Sequence, residues 1–149
     1  MFIIENVSDD YAGCTDEQNF KKLYCACRIR GRAEHKVKGD IIQKIFCIET
    51  EETVAGFPDV MELITGREST IARFYEFKIS DSRGNIKFQS TQPSFYRDNS
   101  ELNIRVIAYN RESRRVHRFS PNEIFKRDSP YFTVTGRINL SAVEKELDV

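Results

Sequence analysis

Asp59, Glu76 and Lys78 are the residues of this chain whose types and spacing could do chemistry together. Glu76 and Lys78 stand in "RFYEFKIS", residues 73–80, whose Phe, Tyr and Ile content reads as a half-buried strand. Side chains of a strand alternate faces with a period of two, so this acid and this ammonium point the same way, beside Phe74. The ordinary reading of such a pair is a surface ion pair. The sharper reading is half of a metal-dependent phosphodiester site, and a second acid decides between them.

A hairpin brings that acid in. If "FPDVMELI" (57–64) pairs with "ARFYEFKI" (72–79) so that Ile64 faces Ile71 across "TGREST", partner numbers sum to 135. Glu62 then faces Arg73, a favourable cross-strand charge pair, and Val60 faces Tyr75. The same register sets Asp59 opposite Glu76. Two carboxylates facing each other in mid-sheet, with Lys78 one step along, repel unless a cation joins them.

The elements that must hold these groups follow from periodicity and capping. Thr15 with Gln18 resembles a capping box, and Phe20, Leu23, Tyr24 and Cys27 recur at i, i+3, i+4 and i+7, predicting a first helix near 16–28. "RGRAEHKVKGDIIQKIFCIETEE" predicts a second over about 32–49, with Val37, Ile41, Ile45 and Ile48 along one stripe. On the helical wheel Glu34 falls in the middle of that stripe, between Ile41 and Ile45, where a carboxylate needs a partner. Beyond it the period changes to strands, at about 52–56, 57–64, 72–79 and 85–90, with turn chemistry in Asp81-Ser82-Arg83-Gly84-Asn85. Thr91 followed by Pro93 predicts a short helix to about Asn99. "LNIRVIAYN" (102–110) reads as a central apolar strand and "RRVHRFS" (114–120) as the next. "SPNEIFKRD" is a turn or a single helical turn, and "LSAVEKELD" a small closing helix. Together they make one α/β domain with a mixed sheet, without repeats or a linker.

Bulk properties limit the partners. The 149 residues suit one domain with a real core, 40% hydrophobic and 31% charged, without an apolar run long enough to span a membrane. "MFIIENVSDD" lacks the basic-then-apolar order of a secretory signal, so the expected compartment is the cytoplasm, or the nucleus if the host has one. Free thiols are then expected for Cys14, Cys25, Cys27 and Cys47; the C-x-C spacing disfavours a zinc set made of the first three with His35. Net charge is zero but blocky. Residues 1–20 hold five acids and no base, and 21–44 hold eight Lys/Arg against two acids. Residues 49–62 are purely acidic, and 111–127 hold six Lys/Arg against two acids. Two basic blocks on a neutral chain suit a local anionic partner; two solvated faces are the plain alternative.

Pro58-Asp59, sixteen intervening residues, then Glu76-Phe77-Lys78 resembles the bipartite motif of the PD-(D/E)xK nuclease superfamily. "GFPD" (56–59) is similar to a common approach to the acid. Gln92, three residues before Phe95, is similar to the Q-x-x-aromatic element of VRR-NUC-like members. "GRAEHKVKGDIIQKI" (31–45) resembles the first helix of archaeal junction-resolving members, which bears a Glu. The resemblance covers residues 31–120, leaving 1–30 and 121–149 as extensions.

The resemblance implies a single restriction-endonuclease-like α/β domain, with a mixed central sheet flanked by helices. It also implies Mg²⁺-dependent hydrolysis of phosphodiester bonds in DNA, with Mn²⁺ as a substitute. Catalytic roles are implied for Glu34, Asp59, Glu76, Lys78 and Gln92. Asp59, Glu76 and the Phe77 carbonyl would hold the metal, and Glu34 a second metal or a metal water, with Asp40 in reserve for Glu34. Mg²⁺ prefers oxygen ligands and keeps several waters, so two or three carboxylates and the phosphate suffice. Lys78 would orient the attacking water and stabilise the hydroxide, and Gln92 would fix the lysine or the nucleic-acid backbone.

Arg28, Arg30, Arg32, Lys36 and Lys38, with Arg111, Arg114, Arg115 and Arg118, would grip phosphates of DNA, or of RNA. Cutting two strands takes two sites, so a homodimer is expected. Junction resolution and restriction-like cutting both fit. The alternative is a nuclease-fold protein that binds nucleic acid or a protein partner without cutting, against which the intact Asp59, Glu76 and Lys78 argue.

Overall fold

The strand that carries Glu76 and Lys78 organises the rest. The computed structural model describes residues 3–6, 11–26, 42–47 (backbone), 58–89, 91–124 and 136–147. Within it β4 runs Thr70–Ile79, rich in the aromatic and β-branched residues that favour a pleated, half-buried surface. On one side it pairs antiparallel with β3 (Val60–Thr65), through a turn closed by the Gly66 amide on the Ser69 carbonyl. On the other it pairs parallel with β6 (Ile104–Asn110). Outside β6 lie β7 (Arg115–Phe119) and β1 (Ile3–Asn6), and outside β3 lies β2 (Ile42–Cys47), all antiparallel. The result is a six-stranded mixed sheet in the order β1-β7-β6-β4-β3-β2. A small second sheet pairs β5 (Asn85–Lys87) with β8 (Arg137–Asn139).

The pleat of β4 sorts the side chains into two cores. Tyr75 and Phe77 face the side covered by α1 (Glu17–Tyr24), packing with Val60, Ile107, Tyr109 and Val116 against Phe20, Tyr24 and Tyr11. Phe74 faces the other side, where Val106, Ala108 and Phe119 meet three further helices. These are α2 (Thr91–Asp98), α3 (Pro121–Ile124) and α4 (Leu140–Glu146), which contribute Tyr96, Ile124, Leu140 and Val143. Each fully buried large side chain contributes roughly 1.5–3 kcal/mol. A mixed sheet with helices on both faces is thus the architecture. Among the described residues no helix is long and apolar enough to cross a membrane.

Two expectations are corrected. Residues 42–47 form β2, in register from Ile42↔Thr65 to Cys47↔Val60, where the periodicity predicts the end of a long helix. "IQKIFC" satisfies either period over so short a run, and its β-branched and aromatic residues beside the β3 edge decide for a strand. With Ile45 in a strand, the stripe that aimed Glu34 at a core loses one of its flanking members. Next, α1 is capped by Asp16, not Thr15: its carboxylate accepts the Asn19 amide at 2.9 Å. Of the two extensions, the first supplies β1 to the main sheet and α1 to its cover, and the second supplies β8 to the small sheet and α4 to the other core. Glu34, Asp40, Arg28, Arg30, Arg32, Lys36, Lys38 and the strand expected at 52–56 lie outside the described residues.

Candidate active site

The hairpin keeps the register read from the sequence, with Val60↔Tyr75, Glu62↔Arg73 and Ile64↔Ile71. One residue before β3 begins, the Asp59 amide donates to the Tyr75 carbonyl at 3.0 Å, while its Oδ2 accepts the Phe77 amide at 3.2 Å. A side chain therefore continues the ladder where the main chain leaves it. Pro58 favours that departure, because it brings no N–H to donate. Even-numbered amides of β4 serve β6, as Phe74 does to Asn103 and Ser80 to Tyr109. Odd-numbered main-chain groups point to the β3 side, so the Phe77 carbonyl and the Ile79 amide aim at the vacated edge beside Asp59.

Glu76 and Lys78 are both buried on the opposite face from α1, and Gln92 of α2 ties them together. Its Nε2 donates to Glu76 Oε1 at 2.9 Å, and its Oε1 accepts from Lys78 Nζ at 3.1 Å and from the Gln89 amide at 2.8 Å. Reversing the amide would set its NH₂ against two donors, so the network fixes the orientation. The Lys78 ammonium also lies 3.8 Å from Glu76 Oε1 and 5.1 Å from the centre of the Phe88 ring. Burying an ammonium is costly, and these three neighbours offset the loss of water.

The remaining oxygen of Glu76 is the telling atom. Oε2 is buried and accepts no hydrogen bond among the described residues. Burial first, then the charge of Asp59, pushes the Glu76 pKa up to about 8, against the pull of Lys78 and Gln92. Repulsion alone is the cause expected from the sequence; burial proves the larger one. A divalent cation fits here: an open carboxylate oxygen, a second carboxylate and a main-chain carbonyl are all hard oxygen donors. Asp59, Glu76 and the Phe77 carbonyl would hold it. Among the described residues no three Asp, Glu, His or Cys side chains gather closely enough to hold a metal by themselves, so the carbonyl and water must complete the set.

A helix acid does lie nearby, and it is Glu17. At the first position of α1, it lies close enough to Asp59, Lys78 and the Ile79 amide at the vacated edge for each to act on its carboxyl. Burial of the carboxyl, then the nearness of Asp59, raises its pKa although Lys78 draws it down. Glu17 precedes Phe20 and Tyr24 by three and seven residues, so it shares their face. That spacing was a usable signal, overlooked because the wheel argument went to Glu34. No protein-family model, curated protein or solved structure matches this chain. The site rests on its own geometry.

The second basic block is divided by the sheet. Arg111 and Arg114 are exposed in the turn between β6 and β7. Arg115 points to the side of α4, where Glu144 binds it at 2.7 Å, and Arg118 points to the α1 side, bonded to Glu5 of β1. Glu144 also accepts from Asn110, from Ser113 at 2.7 Å and from His117 Nε2 at 3.0 Å. Burial alone would raise the Glu144 pKa; the donors Ser113, Arg115, Asn110 and His117 outweigh it and hold the pKa below its usual value. Burial lowers that of His117. No spacing in the sequence announces this cluster, which joins positions about thirty residues apart.

Proposed function

We propose that the chain is a metal-dependent endonuclease of restriction-endonuclease-like fold, hydrolysing phosphodiester bonds in DNA. One observation carries the reading. Asp59, bonded to the Phe77 amide just beyond the end of the β3–β4 ladder, lies beside the buried open oxygen of Glu76, with Lys78 secured two residues on by Gln92. A mixed sheet with a central parallel pair and a Gln-bearing helix supports the fold.

A divalent cation such as Mg²⁺, if held there, would supply a water of lowered pKa and positive charge beside the scissile phosphate. Asp59, Glu76 and the Phe77 carbonyl would hold it. The Lys78 ammonium donates to the oxygen that attacks or to the phosphoryl oxygens, and Gln92 keeps it from swinging away. Glu17, with its raised pKa and its place beside Asp59, would take the part that the resemblance gives to Glu34, holding a second metal or a metal water. The partner is DNA, the working form a homodimer and the compartment the cytoplasm, or the nucleus where there is one.

A binder that does not cut is the second reading. It is favoured by the high pKa of Glu76, which leaves much of that carboxyl neutral near pH 7 until a cation is present. Supercoiled plasmid and a four-way junction, each with Mg²⁺ or with EDTA, separate the two. Cleavage is expected only with Mg²⁺, and Asp59→Asn should abolish it while metal-free DNA binding stays equal or tightens. Lys78→Ala should slow it by about a hundredfold or more. Nicking by Asp59→Asn at the wild-type rate would remove the site assignment, and no cleavage of either substrate by the wild type would favour the binder.

A further inference from the structure

We propose a second ligand site on the α1 face of the sheet: an anion pocket that takes the phosphate monoester of one nucleotide. The pocket is a cavity of about 270 Å³ on the face opposite Glu76 and Lys78, so it stands whether or not the acid site cuts DNA. Arg73 of β4, Arg105 of β6 and Arg118 of β7 reach it from three neighbouring strands. The register explains their convergence: Arg105 is the partner of Tyr75, and Arg118 that of Ile107, so all three share the face of Tyr75. Tyr24, Tyr75 and Ile107 supply an apolar wall.

These arginines carry more positive charge than the sheet needs. Glu62 lies 3.8 Å from Arg73, too far for a hydrogen bond, and takes the Tyr75 hydroxyl at 3.0 Å instead. Glu5 binds the end of Arg118, yet Arg118 Nε is buried and makes no hydrogen bond among the described residues. Arg105 is exposed, and its one hydrogen bond among the described residues is a 3.5 Å contact to the Ile104 carbonyl. Among the described residues two carboxylates thus face three guanidinium groups.

The size and donors of the pocket select its ligand. A carboxylate has two oxygens and is satisfied by one guanidinium fork, whereas a phosphate monoester is a dianion with three terminal oxygens that several forks can share. A duplex backbone is a convex rod and cannot enter a cavity this small. Tyr24 and Tyr75 are packed against other rings and leave a base little to stack on, so the phosphate carries the recognition. A free nucleoside monophosphate and the terminal phosphate of a strand share this chemistry.

Calorimetric titration of the full chain in EDTA at low salt, with AMP and with adenosine, tests the site. AMP should bind and adenosine should not. Arg105→Gln should weaken AMP binding about tenfold or more, with thermal melting unchanged because the residue is exposed. Glu5→Gln should tighten it by releasing Arg118; should that variant fail to fold, Arg105→Gln still decides. Displacement of AMP by a 5′-phosphorylated dinucleotide but not by its unphosphorylated form would identify the strand end as the natural ligand. Failure of both to displace it would identify the free nucleotide. No AMP binding at millimolar concentration, equal binding of adenosine, or wild-type affinity in Arg105→Gln would overturn the proposal.

Discussion

Glu76 concentrates the physical tension of the molecule in one carboxyl group. Its pKa of about 8, against an ordinary 4.5, means that the folded chain keeps a proton which the unfolded chain has released across that window. Stability attributable to Glu76 is therefore greatest below about pH 4.5 and falls as pH rises towards 8. In EDTA, Glu76→Gln should melt higher than wild type near pH 7.5, with the difference shrinking towards pH 4.5. A constant difference across that range, by circular dichroism, would assign the effect to packing. Mg²⁺ should reverse the order, because a cation needs the ionised carboxylate and displaces its proton. At this scale the sequence was informative. Glu76 and Lys78 could be placed on one face by a strand's period and Asp59 near them by the hairpin register, whereas Gln92, on a helix, was named only through the resemblance. The arginine sites were not legible in the same way, since their faces depend on which strands become neighbours.

Short elements decide what reaches the site and what stays fastened. α1 sets Glu17 over the vacated edge, so Glu17→Gln should lower Mg²⁺-dependent cleavage while leaving the melting temperature near wild type. If Glu34→Gln stops cleavage and Glu17→Gln does not, α1 is only a cover. α4 is fastened by Glu144, the shared acceptor of Asn110, Ser113, Arg115 and His117. Its start approaches the 81–85 turn so closely that a Cβ on Gly84, at φ +86°, would come within 2.5 Å of Ser141 Oγ. Glu144→Ala should cost about 1–3 kcal/mol in urea unfolding, since it takes the shared acceptor from buried Asn110 and His117 and from half-buried Arg115. The depressed Glu144 pKa adds stability that is present above the usual carboxylate range and lost as pH falls through it, so Glu144→Gln should also blunt acid unfolding. Strands β3, β4, β6 and β7 could be read because alternation and turn residues agree over whole segments. The helix expected at 32–49 failed over 42–47, where six residues fit both periods and the neighbouring edge of β3 chose between them.

Across the whole molecule, the sheet separates charges that are adjacent in sequence. Arg115 and Arg118 stand three residues apart but on opposite faces, one serving Glu144 and the other Glu5. Arg111 and Arg114 are the exposed arginines of that block among the described residues and, on the proposed function, those that would meet a backbone phosphate. Neutralising Arg111 and Arg114 together should weaken binding to unrelated DNA sequences alike and reduce the salt slope by about one per lost contact. Arg115→Gln should lower stability and leave that slope unchanged. A filter-binding series over salt concentration distinguishes the two, and an unchanged slope for Arg111 with Arg114 would direct attention to the first basic block.

The pairing of β1 with β7 has a consequence for how the protein comes into being. Glu5 and Arg118, which join these strands, are 113 residues apart. During synthesis β1 leaves the ribosome long before its partner exists, while the β3–β4 hairpin can close as soon as its own short turn is made. Ile3 and Ile4 must wait in solvent or on a chaperone until β6 and β7 offer an edge. Closing so long a loop is entropically slow, and that last strand seats one wall of the arginine pocket. A nascent chain released early would therefore carry its acid hairpin already paired and its anion pocket still open on one side.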